Sequence, residues 1–253
     1  MRLFVHILPS LASPTDLQGR VAVMIDALRA STTITHALHA GCPHITPCIE
    51  VDHALAARDN LPPDQPPPLL GGERKGQKIP GFDLGNSPTD YTPTLVRNRP
   101  ILFTTTNGTR ALLAAAPASR VLIGCFNNRS ALAHALHRDG RDAHLLCAGT
   151  DGHPGSDDLL AAGSIAAALL ALPNVTPAND SAQLALELFN HTTTTHAAPN
   201  SSVSLIQALR RSRGGRNLID LNLADDIDTC AQLDSLPTVG QWHHTTNRII
   251  TTR

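Results

Sequence analysis

Aromatic side chains are scarce: one Trp, one Tyr and five Phe make up 3% of the 253 residues. A core for a chain of this length must therefore be built from Ala, Leu, Val and Ile, and the aromatic platforms on which single-stranded nucleic acid stacks are not supplied. No charge of one sign prevails, with 20 Lys plus Arg against 21 Asp plus Glu and a formal net charge of −1. The basic residues are scattered and form no stripe, so a nucleic-acid footprint is absent. Five cysteines, Cys42, Cys48, Cys125, Cys147 and Cys230, are an odd and widely spaced set without a C-x-x-C pair. That excludes a disulfide framework and a zinc knuckle and leaves reduced, buried thiols. Long hydrophobic runs are missing too: the longest, Leu159 to Leu172, stops at Pro173, short of the ~20 residues a membrane span needs. The N-terminal MRLFVHILPSLAS is interrupted by His6 and Pro9 and reads as a strand and a turn, not a signal peptide. A cytoplasmic enzyme is expected.

What is present is alternation. Short Val- and Ile-rich runs alternate with Ala- and Leu-rich helical stretches, the pattern of an α/β protein. Strands are expected at Val21 to Ile25, Ile45 to Ile49, Ile101 to Thr104, Val121 to Ile123 and Ala143 to Cys147. Helices are expected from Arg29 to His39, Val51 to Arg58, Thr109 to Ala115, Ser130 to Arg138 and Asp157 to Leu172. Residues 60 to 68 form a proline-rich surface loop. The last third reads as helices around Ser181 to Asn190 and Val203 to Arg211, with a weak strand near Arg248 to Thr252. The fold expected is a layered α/β/α single domain with two packed α/β lobes, about 1–98 and 99–253, sharing a cleft at strand ends where ligands of open sheets bind.

Four polar segments fall at such strand ends. In IDALRASTTI, Asp26 closes a strand and could hold a cation, while Thr32 and Thr33 lie near a helix N-terminus that suits an anion; helix capping accounts for the same residues. TTTNGTRAL brings Thr106, Asn107, Gly108, Thr109 and Arg110 together where a phosphate could be cradled, or simply makes an Asn-Gly turn. In CAGTDGHPGSDDLLAAG, Asp157 and Asp158 open a helix and complement its dipole; they also suit a hard cation such as Mg²⁺. The fourth, GGERKGQKIPGFDLGNSP, reads as a glycine-rich loop that holds both lysines of the chain, Lys75 and Lys78. It offers Glu73 and Asp83 as carboxylates and Arg74, Lys78 and Asn86 as anion donors. No C-x5-R phosphatase loop and no G-x-x-x-x-G-K-[ST] occurs. Asp226-Ile227-Asp228-Thr229 mimics a D-x-D-T phosphatase nucleophile but follows no strand. Most of the thirteen histidines read as surface residues.

Taken in order, DALRASTTI, GGERKGQKIPGFDLGNSP, TTTNGTRAL and AGTDGHPGSDDLLAAG resemble the 2-phosphosulfolactate phosphatase (ComB) family of coenzyme M biosynthesis, with a weaker echo in DDIDTCAQLD. Asp157-Asp158 stands where that family commonly reads Glu-Asp. The resemblance implies a Mg²⁺-dependent phosphatase that hydrolyses 2-phosphosulfolactate to sulfolactate and phosphate. On that reading Asp26, Glu73, Asp83 and Asp158 are catalytic, and the metal ligands come from Asp26, Glu73, Asp83, Asp157 and Asp158. Substrate is bound by Arg29, Thr32, Thr33, Arg74, Lys78, Asn86, Thr106, Asn107, Gly108, Thr109 and Arg110. Such a substrate carries about four negative charges and needs several cations around it. Of the two lysines, Lys78 is expected to bind it and Lys75 to be solvated. The partner implied is a small anionic phosphate ester, with no nucleic acid and no membrane; a homo-oligomer is left open. Rival readings are a phosphohydrolase for another 2-phospho-hydroxy acid and a non-catalytic module that binds an acidic metabolite.

Overall fold

Among the described residues, eleven strands join edge to edge into one sheet. They are β1 (Arg2–His6), β2 (Val21–Ile25), β3 (Ile45–Pro47), β4 (Leu69–Arg74), β5 (Gln77–Lys78), β6 (Ile101–Thr104), β7 (Arg120–Gly124), β8 (Ala143–Cys147), β9 (Thr176–Pro177), β10 (Gly240–His243) and β11 (Arg248–Thr251). The computed structural model describes residues 1–59, 67–194 and 202–252; all but the last two residues of the expected proline-rich loop lie outside these. The helices are α1 (Pro14–Leu17), α2 (Ala30–His39), α3 (Val51–Asp59), α4 (Pro93–Val96), α5 (Gly108–Ala114), α6 (Arg129–Asp139), α7 (Ser156–Leu170), α8 (Asp180–Thr194), α9 (Ser202–Arg211), α10 (Arg213–Asp220) and α11 (Asp225–Cys230).

Strand order is β5-β4-β6-β3-β11-β10-β7-β2-β8-β1-β9. Two parallel blocks, β4-β6-β3 and β7-β2-β8-β1, are joined through the C-terminal hairpin, since β10 runs antiparallel to β7 and β11 antiparallel to β3. The blocks therefore point in opposite senses along the sheet. Five pairings separate β6 from β2, and at about 20–25° of twist each they turn one block by roughly 100–125° against the other. That rotation lets strand ends of both blocks reach a common cavity.

The layers follow from residue alternation. In β2, Val21, Val23 and Ile25 join one cluster with Leu132, Leu136, Ile165 and Leu169 of α6 and α7, while Ala22 and Met24 face the other side with Ile34 and Leu38 of α2 and Leu112 of α5. Both faces are thus covered, as a parallel block requires. A third cluster packs Ala54 of α3 on Leu70 and Leu102. The expected α/β fold, with helices flanking a large sheet, is the one observed. All five cysteines are free and buried, and no helix among the described residues is long and apolar enough to cross a membrane.

Several features depart from expectation. The segment read as a loop from Gly71 begins inside β4, and it can do so because of Gly72: a Cβ there would lie 2.0 Å from the Thr104 carbonyl oxygen of β6. Helices α10 and α11 and strand β10 are not among the expected elements. His6 and His144, on adjacent strands, are buried and face each other with Nε2 and Nδ1 3.0 Å apart, so these two histidines are not at the surface.

Candidate active site

A cavity of about 350 Å³ opens where the segments after β2, β4, β6 and β8 meet α10. Asp26, Glu73, Thr106 and Thr150 reach it from those strand ends, and Asn217 and Asp220 close it from the helix.

Asp26 follows β2 directly, is 8% exposed, and accepts a hydrogen bond from the Ala30 N–H at 3.2 Å. Burial pushes its pKa up to about 7; the Ala30 N–H opposes the rise, the Glu73 and Asp157 charges reinforce it, and Arg29 opposes it. Glu73, at the end of β4, is committed on both oxygens: Oε1 accepts from the Thr106 N–H at 2.7 Å and Oε2 from the Gly76 N–H at 2.6 Å. It therefore ties the β4 turn to the β6 turn. Asp158 does the same for β2 and β8, accepting from the Ala27 and Gly149 N–H groups, each at 2.8 Å. Burial, then Asp157, then Asp26 hold its pKa well above the carboxylate range. Asp157 lies behind Gly214, whose Cβ, were it present, would come 2.5 Å from Oδ2. Its Oδ1 is buried without a hydrogen-bond partner, and burial raises its pKa.

Arg29 is 3% exposed and lines the cavity. Its Nη1 bonds Asp226 Oδ2 at 2.5 Å and Ser87 Oγ at 3.0 Å, and its Nη2 bonds the Gly76 carbonyl at 2.7 Å. Asp226, in the segment that mimicked a phosphatase nucleophile, is thus the counterion of Arg29. Asn86, Thr106 and Asn107 line the cavity as expected. The Oδ1 of Asn86 and the Oγ1 of Thr106 are buried with no hydrogen-bond partner, while Asn107 Oδ1 accepts from the Asp151 N–H at 3.3 Å. Gly108 starts α5 against Asp26: a Cβ there would lie 2.9 Å from Asp26 Oδ2.

Several expected residues are not brought to the cavity. Asp83 is exposed and its carboxylate accepts from the Leu70 N–H at 2.8 Å, holding the start of β4. Arg74 turns its guanidinium to the Glu73 and Ile49 carbonyls and to Thr104 Oγ1 at 2.8–2.9 Å, so it is spent on two carbonyls and a hydroxyl. Thr32 and Thr33 donate to the Ala27 and Asn86 carbonyls at 3.1 and 2.8 Å, and Thr109 Oγ1 accepts from the Thr105 N–H at 3.2 Å; these hydroxyls brace the turns. Arg110 is exposed and lines no part of the cavity. The lysines are placed in reverse of expectation: Lys75 lines the cavity, whereas Lys78 sits on edge strand β5 with its Nζ 3.4 Å from the Asp83 carbonyl. Sequence reasoning set Asp226 aside as part of a nucleophile mimic and passed over Asn217 and Asp220. Only a Ser212 cap, whose Oγ accepts from the Gly215 N–H at 2.9 Å, marks the start of α10 locally.

Among the described residues no three His, Cys, Asp or Glu side chains group as a metal cage, so the five expected carboxylates do not assemble into one ligand set. What remains is sparser: Asp26 and the unpartnered Oδ1 of Asn86 on the cavity wall, with the unpartnered Oδ1 of Asp157 behind Gly214, outside the lining. Mg²⁺ fits such a set, because it typically takes one or two carboxylates and completes its shell with water and phosphate.

A buried carboxylate at elevated pKa, a buried guanidinium and unpaired amide and hydroxyl groups in one strand-end cavity define an α/β enzyme that handles a small anion. Residues 6–245 match the 2-phosphosulpholactate phosphatase family, and the chain belongs to it. It is 42% identical over 222 residues to a probable 2-phosphosulfolactate phosphatase of Symbiobacterium thermophilum, covering 87% of this chain and 90% of that protein. A protein of the same description from Deinococcus radiodurans is 39% identical over 237 residues, covering 93% and 90%.

Proposed function

We propose that this chain hydrolyses 2-phosphosulfolactate to sulfolactate and phosphate with Mg²⁺ as cofactor, the reaction type of coenzyme M biosynthesis. The observation that carries this reading is the cavity itself, where Asp26 and a fixed Arg29 face unpaired polar atoms of Asn86 and Thr106. Three of the five guanidinium N–H donors of Arg29 are taken by Asp226, Ser87 and Gly76, which leaves two for substrate oxygen. Because its carboxylate partner is buried with it, that donor pair is held in place before substrate arrives. Glu73 fixes the Thr106 and Gly76 backbone and so orients the Thr106 hydroxyl and the Asn107 amide toward the same space. Asp26 and Asp157 are the residues that would hold Mg²⁺, which supplies neutralisation of phosphoryl charge when bound.

The test is phosphate release from 2-phosphosulfolactate by purified protein with added Mg²⁺, compared with 2-phospholactate and phosphoglycolate. Release that requires Mg²⁺ and prefers the sulfonated ester is expected. Full activity in excess EDTA with no residual metal would remove the cofactor. Faster turnover of an unsulfonated ester would move the substrate to another 2-phospho-hydroxy acid.

A further inference from the structure

Lys75 occupies a turn position that local chemistry disfavours. It links Arg74 to Gly76 in the two-residue connection of the β4–β5 hairpin, where Arg74 pairs with Gln77, and both connecting residues have positive φ, +53° and +79°. Asn-Gly or Gly-Gly is the usual solution there, and a lysine in the left-handed region costs on the order of 1 kcal/mol. The backbone beneath it is nonetheless fixed from three sides. The Gly76 N–H is held by Glu73 at 2.6 Å and the Gly76 carbonyl by Arg29 at 2.7 Å. Leu221, just past α10, is so near that a Cβ on Gly76 would lie 2.6 Å from its Cδ1. A residue with an unfavourable φ on a backbone this strongly held points to function.

Charge compensation separates Lys75 from the other cation of the cavity. Arg29 is neutralised by Asp226, and among the cavity carboxylates Asp151 is engaged by Arg213 at 2.9 Å. Among the described residues Lys75 has no carboxylate within ion-pair distance, although it lines the same cavity. Its side chain is exposed and its ammonium is a flexible point charge, unlike the fixed guanidinium of Arg29. Fixed, buried donors suit the reacting phosphoryl group, where preorganisation lowers the barrier. A mobile, solvated cation suits a charged group that is bound equally in ground and transition states.

We infer that Lys75 is the specificity-determining residue that receives the non-reacting sulfonate of the substrate. This rests on the proposed hydrolysis of 2-phosphosulfolactate, and the binding step is separable from it. Lys75→Asn is the informative variant because asparagine tolerates the positive φ and keeps the hairpin; Lys75→Arg keeps the charge. For Lys75→Asn the KM for 2-phosphosulfolactate should rise about five- to twentyfold with kcat changed less than about twofold, the signature of lost uniform binding. The KM for 2-phospholactate, which lacks the sulfonate, should rise at least about fivefold less, and Lys75→Arg should restore most of the difference. Equal rises for both esters, a kcat loss that matches the loss in kcat/KM, or no change would overturn the assignment. If wild-type protein releases no phosphate from 2-phosphosulfolactate, the activity reading fails, and calorimetric titration with sulfolactate and with lactate decides the role of Lys75 by itself. Wild type should then bind sulfolactate at least about fivefold more tightly than lactate, and Lys75→Asn should lose that preference. A preference absent from wild type, or retained by the variant, refutes the inference.

Discussion

Replacing Asp226 by alanine removes the carboxylate from a guanidinium that is 3% exposed. Two bonds to Oδ2 disappear with it, from Arg29 Nη1 at 2.5 Å and from Ser87 Oγ at 2.8 Å. Breaking a buried ion pair from one side costs about 3–5 kcal/mol, because a desolvated charge stays behind uncompensated. Arg29 keeps the Gly76 carbonyl at 2.7 Å and the Ser87 hydroxyl at 3.0 Å, which places the expected loss near the lower end, about 3 kcal/mol. For a chain of this length each kcal/mol moves Tm by about 2–4 °C, so a fall of about 6–12 °C is expected. Asp226→Asn retains shape and an acceptor and should cost roughly half as much. Urea unfolding at constant m-value together with a thermal melt measures both variants. The double variant Arg29→Met/Asp226→Leu should recover most of the stability while phosphate release is abolished with the loss of the Arg29 guanidinium, which separates folding from binding. A loss below about 0.5 kcal/mol for Asp226→Ala, or equal losses for alanine and asparagine, would refute the claim that charge compensation of Arg29 holds this part of the site.

The buried His6–His144 contact gives a pH prediction. Burial, reinforced by the neighbouring His6, lowers the pKa of His144 from 6.5 to about 4, so between those values the unfolded chain binds the proton that the folded one refuses. Stability from this group is present above pH 6.5 and is lost as pH falls toward about 4. It should amount to roughly 1–2 kcal/mol after solvent screening, and urea midpoints of His144→Gln should show a flatter acid limb than wild type. Gly214→Ala should lower phosphate release by about tenfold or more, since the new Cβ meets Asp157 Oδ2, and a crystal structure of the variant should show Asp157 displaced; wild-type activity would mean that Asp157 takes no part. Asp83→Ala should cost about 1 kcal/mol through the lost Leu70 N–H bond, and Lys78→Ala no more than about 0.5 kcal/mol. Either one raising KM more than Lys75→Ala would contradict their positions outside the cavity.

Period-two and helical patterning made most of the sheet and its flanking helices readable in the chain. Val21–Ile25, Ile101–Thr104 and Ala143–Cys147 are strands within their expected bounds, because side chains buried on both faces leave a continuous apolar run. The polar residues just beyond those runs, Asp26, Thr106 and Asn107, could be placed at the cavity for the same reason: a strand end locates whatever follows it. Asn86 and Glu73 came with the long second segment, although its opening residues proved to be a strand.

Which charged groups face the cavity was decided elsewhere, by partners far away in the chain. Arg74 and Asp83 have the right chemistry, but the Ile49 carbonyl and Thr104 hydroxyl draw the Arg74 guanidinium, and the Leu70 N–H draws the Asp83 carboxylate. Arg29 acquires its counterion from Asp226, 197 positions on, through a short helix with no periodic signal. Lys75 and Lys78 are three residues apart in a glycine-rich segment, and only the hairpin turn, closed by Glu73 and Arg29, sends one into the cavity and leaves the other on a sheet edge. Local sequence determines which backbone conformation is cheap; the pairing of buried charges and orphaned N–H and C=O groups is a long-range satisfaction problem, and it is solved only when the elements have packed.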